Sequence, residues 1–92
     1  MAIAPSARLV RAPEIIATEV DGELVLMSIE DGKYFGLDAI GSEIWRRLEV
    51  PKSVEALCGE LKAHFEGDAA TIERDTMAFL DQLSDSGLVA AG

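Results

Sequence analysis

Nine residues, Glu30 to Asp38 (E-D-G-K-Y-F-G-L-D), separate two halves of the chain with different periodicity. Before them the apolar residues recur at strand-like spacing; after them they recur at the three-to-four spacing of helices. The stretch itself holds a turn, a short strand and a helix cap. Gly32 supplies the positive φ of a tight turn, Lys33 to Leu37 continue as a strand, and the Asp38 carboxylate can accept from the first free amides of a helix. Strands therefore come first and helices second.

Upstream, Leu9-Val10-Arg11 suits a brief strand before Pro13. Ile15 to Val20 is β-rich and ends at Asp21-Gly22, a two-residue hairpin signal. Glu23 to Ile29 follows as a strand that is apolar on both faces, with Leu24 and Leu26 on one and Val25, Met27 and Ile29 on the other. Such a strand is central or covered. With Lys33 to Leu37 as the third strand, tight turns make a meander.

Downstream, Ile40, Ile44, Trp45 and Leu48 are spaced for one helical face. Gly41 within that helix costs about 1 kcal/mol against alanine, which points to close packing with a neighbour. Pro51 ends the helix. Ser53 caps a second, with Val54, Leu57, Cys58, Leu61 and Phe65 inward and Gly67 closing it. The third begins near Asp68 or Thr71 and runs to Ser86, with Gly87 as its C-terminal cap and Ile72, Thr76, Phe79, Leu80 and Leu83 inward. Leu88 and Val89 can tuck under the core, and the last three residues are expected to fray. The class is α+β and winged helix-turn-helix-like: a three-stranded antiparallel sheet followed by three helices. Residues 1–8 read as a flexible arm and 9–92 as one domain.

Composition narrows the partners. Seventeen acidic residues against eight basic give a net charge of −9, the reverse of what a duplex-binding surface needs. Cys58 is the single cysteine, so no internal disulfide is possible, in keeping with a reducing cytoplasm. The first eleven residues lack a signal-peptide pattern, and no apolar run approaches the roughly 20 residues of a membrane span. Cytoplasmic location, without nucleic-acid or membrane partners, is the expectation.

No enzyme signature emerges. Cys58 lies on the apolar side of its helix, where a small core residue is expected. His64 sits off that stripe, and one Cys with one His supplies neither a zinc ligand set nor an activated nucleophile. Acidic neighbours such as Glu30/Asp31 and Glu73/Asp75 read as solvated faces. The Gly36/Gly41 spacing lacks the Lys-Ser/Thr of a phosphate loop. Neither cofactor nor metal is expected.

The third strand is the sharper feature. Its outer side is bare unless the N-terminal segment returns to it, and Lys33 is the only charge between Gly32 and Leu37. Bare edges accept foreign strands. Tyr34 and Phe35 point to opposite faces by the period of two, and the sequence leaves open which one meets a visitor. On the third helix, Asp75, Ala78, Gln82 and Ser86 form a flank of small and polar groups beside Phe79, suited either to an ordinary boundary row or to the wall of a groove. Dimerisation through third strands is a further use of such an edge.

Three segments carry a resemblance: D-G-K-Y-F-G-L-D-A-I-G-S-E-I-W-R-R-L, then S-V-E-A-L, then R-D-T-M-A-F-L-D-Q-L-S-D-S-G-L-V. Together, over about Val20 to Val89, the chain resembles the PqqD-like proteins, also called RiPP precursor peptide recognition elements. The resemblance implies a non-catalytic winged-helix-like domain that binds the leader of a ribosomally made precursor as an added strand. It places the leader against Lys33, Tyr34, Phe35, Gly36 and Leu37 and against Asp75, Ala78, Phe79 and Gln82. Leu37, Ile44 and Trp45 match positions read as core. The stand-alone lasso-peptide branch is the most similar; it implies a leader-cleaving cysteine protease and an ATP-dependent cyclase as partners. The other branch serves a radical SAM enzyme in pyrroloquinoline quinone synthesis. A winged-helix DNA binder is the rival class, opposed by Glu73, Asp75, Asp81 and Asp85 facing only Arg74 on the third helix.

Overall fold

The computed structural model describes residues 6–91. The strands are β1 (Arg8–Arg11), β2 (Ile15–Val20), β3 (Glu23–Ser28), β4 (Tyr34–Gly36), β5 (Lys52–Ser53) and β6 (Val89–Ala91). The helices are α1 (Ala39–Arg47), α2 (Val54–His64) and α3 (Ala69–Asp85). The expected arm, residues 1–8, falls mostly on residues 1–5, outside those described.

The meander forms as the turn chemistry dictates. Asp21 and Gly22 both adopt positive φ, 53° and 84°, as a two-residue hairpin with the right-handed twist of its strands requires. β2, β3 and β4 are hydrogen-bonded in that order, all antiparallel. β3 is central, which explains its two apolar faces. Leu24 and Leu26 enter the core, while Val25 and Met27 lie half-covered between Thr18, Ile16 and Tyr34 on the outer face.

A second antiparallel sheet, in the order β5-β1-β6, joins three distant parts of the chain. Leu9 pairs with Lys52 on one side and Ala91 on the other, and is itself fully buried. The C-terminal residues expected to fray are thus held as a strand up to Ala91. Arg11 at the end of β1 ties this sheet to α1. Its Nε donates to the Trp45 carbonyl at 3.1 Å, its Nη2 donates to the same oxygen, and its guanidinium lies 4.7 Å from the Trp45 ring centroid.

Each helix begins on the side chain that the sequence marks. Asp38 accepts from Gly41 N, Ser53 from Ala56 N and Asp68 from Thr71 N. α2 stops at His64 with Phe65 as its cap, short of Gly67. The core is one cluster that includes Leu26, Ile44, Trp45, Leu57, Leu61, Leu80 and Leu88. Cys58 belongs to it. Burial, reinforced by the charge of Glu73, pushes its thiol above the usual range, as expected of a small core residue.

Thr76 is wholly buried on α3, and among the described residues its hydroxyl is the one buried side-chain polar atom without a partner. Thr76→Val exchanges that hydroxyl for a methyl of the same shape. It should leave stability unchanged or raise it by up to about 1 kcal/mol, read as an equal or higher urea midpoint. A fall of the midpoint would show that the hydroxyl is bonded in solution.

Candidate functional site

Among the described residues, β4 is bonded on one side only. Ser28 N donates to the Lys33 carbonyl at 2.9 Å and Leu37 N donates to the Leu24 carbonyl at 2.8 Å, so the bonds to β3 fall on odd-numbered residues. An antiparallel ladder alternates, and the main chain of the residues between those points away. The N–H and C=O groups of Tyr34 and Gly36 therefore face outward. Among the described residues, no strand pairs with that edge.

The outward edge opens onto a groove of about 220 Å³ between β4 and α3. Its lining is Phe35, Gly36 and Leu37 from the strand, Phe79, Gln82, Leu83 and Ser86 from the helix end, and Leu88 beyond it. Each wall has a local cause. Phe35 is registered opposite Leu26, which is fully buried, so parity turns the Phe35 ring to the core-facing side and Tyr34 to the other. Leu88 reaches the groove because α3 ends in a Schellman turn. Gly87 takes φ 75°, its N–H donates to the Ser84 carbonyl at 3.0 Å, and Leu88 N donates to the Leu83 carbonyl at 2.8 Å. That turn sets Leu83 and Leu88 side by side.

The far end of β4 is fastened by Ser42, which is 0% exposed. Its Oγ accepts from Leu24 N at 2.8 Å and donates to the Leu37 carbonyl at 3.4 Å. A helix hydroxyl thus stands between two main-chain groups that would otherwise bond each other across the β3–β4 ladder. It welds α1 to the sheet where the strand leaves it.

Of the residues singled out in the sequence, the fold brings Phe35, Gly36, Leu37, Phe79 and Gln82 together around the groove. Leu37 does double service, since it is also part of the buried core. Tyr34 contributes edge main chain, but the residue is 71% exposed and its side chain lies on the opposite sheet face beside Ile16 and Met27. Lys33 is exposed in the turn, and its carbonyl is used by β3. Asp75 and Ala78 are exposed on α3 outside the lining, with the Asp75 carboxylate 4.0 Å from Arg74 Nε. Leu83 and Leu88 line the groove without having been assigned to it. The Gly87 cap signature was the signal, because it fixes which residue folds back on the helix end. Ser86, read only as part of the flank, lines it too.

Electrostatics differ along the groove. At Ser86 it meets a second cleft, of about 390 Å³, lined also by Glu14, Glu30 and Asp31. The last turn of α3 has no basic residue to offset the carbonyls that end there. That end favours positive charge.

No curated protein matches the chain significantly. Two solved structures resemble it. TbiB1 in complex with the TbiA(beta) leader peptide is 36% identical, with 87% of this chain and 93% of that one covered and a TM-score of 0.78. A lasso peptide synthetase B1 complexed with its leader peptide is 23% identical, covers 89% of this chain and 96% of that one, and has a TM-score of 0.71. The second likeness is one of fold. The sequence profile of coenzyme PQQ synthesis protein D (PqqD) matches residues 23–89, which span β3, β4, the three helices and every wall of the groove. The chain belongs to the PqqD family.

Proposed function

We propose that this chain is a non-catalytic adaptor that captures the leader segment of a ribosomally made precursor peptide and hands it to modifying enzymes. The leader adds as a strand to β4, bonding the outward main chain of Tyr34 and Gly36. Its alternate side chains enter the groove against Phe79, Gln82 and Leu83. The observation that carries this reading is the bare β4 edge opening directly onto an apolar groove. Strand addition of this kind takes affinity from main-chain bonds and specificity from pockets for alternate residues. Lys33 flanks the strand, and Asp75 and Ala78 extend the α3 flank toward a longer peptide. The net charge of −9 and the acidic cleft beyond Ser86 favour a leader carrying basic residues.

The receiving enzymes in this reading are a leader-cleaving cysteine protease and an ATP-dependent cyclase of lasso-peptide synthesis. The 36% identity over most of both chains to TbiB1, solved with a leader peptide, supports leader capture, and the likeness in fold to a lasso peptide synthetase B1 agrees with that branch. The PqqD profile favours the alternative, presentation to a radical SAM enzyme on the way to pyrroloquinoline quinone. No helix among the described residues is long and apolar enough to cross a membrane, which suits work alongside water-soluble enzymes.

The test is titration of the folded chain into a fluorescently labelled leader from the neighbouring precursor gene, followed by anisotropy. Saturation in the low micromolar range or tighter is expected. No binding up to high micromolar concentration would sink the adaptor reading.

A further inference from the structure

We propose that Gly41, which does not line the groove, sets its shape and is a specificity-determining position for the incoming peptide. The inference rests on the groove being the peptide site. Gly41 is buried in the first turn of α1, with its N–H donating to Asp38 Oδ1 at 2.7 Å. Its backbone is helical and is not among the glycines with positive φ, so the path of the chain does not demand glycine there. What demands it is the Phe79 ring. A Cβ at position 41 would lie 2.9 Å from Phe79 Cζ and 3.1 Å from Phe79 Cε1, and also 3.1 Å from the capping Asp38 Oδ1, so the nearest approach is to the ring. Carbon atoms pack best at about 3.5–4.0 Å, so even a methyl group there must drive the ring off α1.

Phe79 is only partly buried, and it forms the groove wall together with Phe35 and Leu83. One part of the ring therefore rests on α1 while another meets the groove. A ring pushed off α1 moves within that wall, and a groove of about 220 Å³ has little room to absorb the change. The absent side chain on α1 thus determines which peptide side chain the groove between β4 and α3 accepts.

A double-mutant cycle on the full chain tests this, with the labelled leader as probe. Gly41→Ala is expected to weaken binding by about fivefold or more, while in a Phe79→Leu background, which lacks Cζ and Cε1, it costs less than about twofold. Binding by Gly41→Ala within about twofold of the native chain, or the same factor in both backgrounds, would overturn the inference. Should Gly41→Ala fail to fold, amide NMR of the native chain decides. The Gly41 N–H is expected to shift on saturation with leader, and an unmoved signal overturns the proposal. A native chain that does not bind leader at all refutes the adaptor reading instead, and the two failures are distinguishable.

Discussion

Tyr34→Pro is expected to weaken leader binding by about tenfold or more beyond the effect of Tyr34→Ala, because it removes an edge donor that a visiting strand must use. Tyr34 opens β4, and its N–H points away from β3. Proline is tolerated at the first residue of a strand and where the N–H faces outward, so the ladder to β3 survives the exchange. Its ring, however, leaves a carbonyl of the incoming strand unpaired, which costs about 1–3 kcal/mol when the contact is desolvated. The alanine variant isolates the side chain. The tyrosine ring lies on the sheet face opposite the groove, where it offers a bound strand at most a cross-strand contact of about 0.2–1 kcal/mol. Anisotropy titrations of the two variants, with circular dichroism to show that both are folded, separate main chain from side chain. Equal affinity of Tyr34→Pro and Tyr34→Ala would reject strand addition at this edge.

The largest expected effect on stability from a single small change is at Ser42. Ser42→Ala removes the hydroxyl that joins Leu24 N to the Leu37 carbonyl and leaves the Leu24 N–H without its partner in the core. The expected cost is about 1–3 kcal/mol, the penalty of a buried unsatisfied group. Alanine is the better helix former by about half a kcal/mol, so the observed loss understates the bridge. Urea unfolding checks it: the midpoint should fall while the slope stays constant, because the surface exposed on unfolding is the same. An unchanged midpoint would mean that β3 and β4 close the gap and bond each other directly. The same variant is informative about the groove, since Ser42 anchors the end of the strand that forms one wall.

Local chemistry was readable from the sequence wherever a residue type demanded one conformation. The Asp21-Gly22 turn, the caps at Asp38, Ser53 and Asp68, and the Gly87 stop each fell where their side chains or backbone freedom required. These signals gave the order of strands and helices and the α+β class. Features that depend on distant partners were not readable. β5 has two residues and β6 three, too few for any periodicity, and both find their partner in β1, which is distant from each of them in the sequence. Ile40 shows a different limit. Spacing assigns it to the inward face of α1, yet it is 39% exposed while Gly41 and Ser42 are buried. The helix turns its small residues inward because Phe79 and the β3–β4 junction press closely on that side.

The site divides along the same line. Angles around α3 placed Asp75, Ala78 and Gln82 on one flank, but they carry no information on where along the axis the sheet edge ends. The lining begins at Phe79 and continues past the helix to Leu88, so Asp75 and Ala78 fall beyond it. Parity stated that Tyr34 and Phe35 diverge without saying which way. One registered neighbour, the buried Leu26, decides the direction of both.

The β5-β1-β6 sheet has a consequence for how the molecule assembles in time. The meander and the three helices are built from neighbours in sequence, whereas Leu9 meets Ala91 only after nearly the whole chain has been drawn into a ring. Contacts that close so long a loop form slowly, because the entropy of closure is lost before the contact returns anything. The meander and the individual helices can therefore condense early, with the terminal seam added last. The same seam, short and at the ends of the fold, is where amide protons should exchange first in the finished protein, well before those of β3.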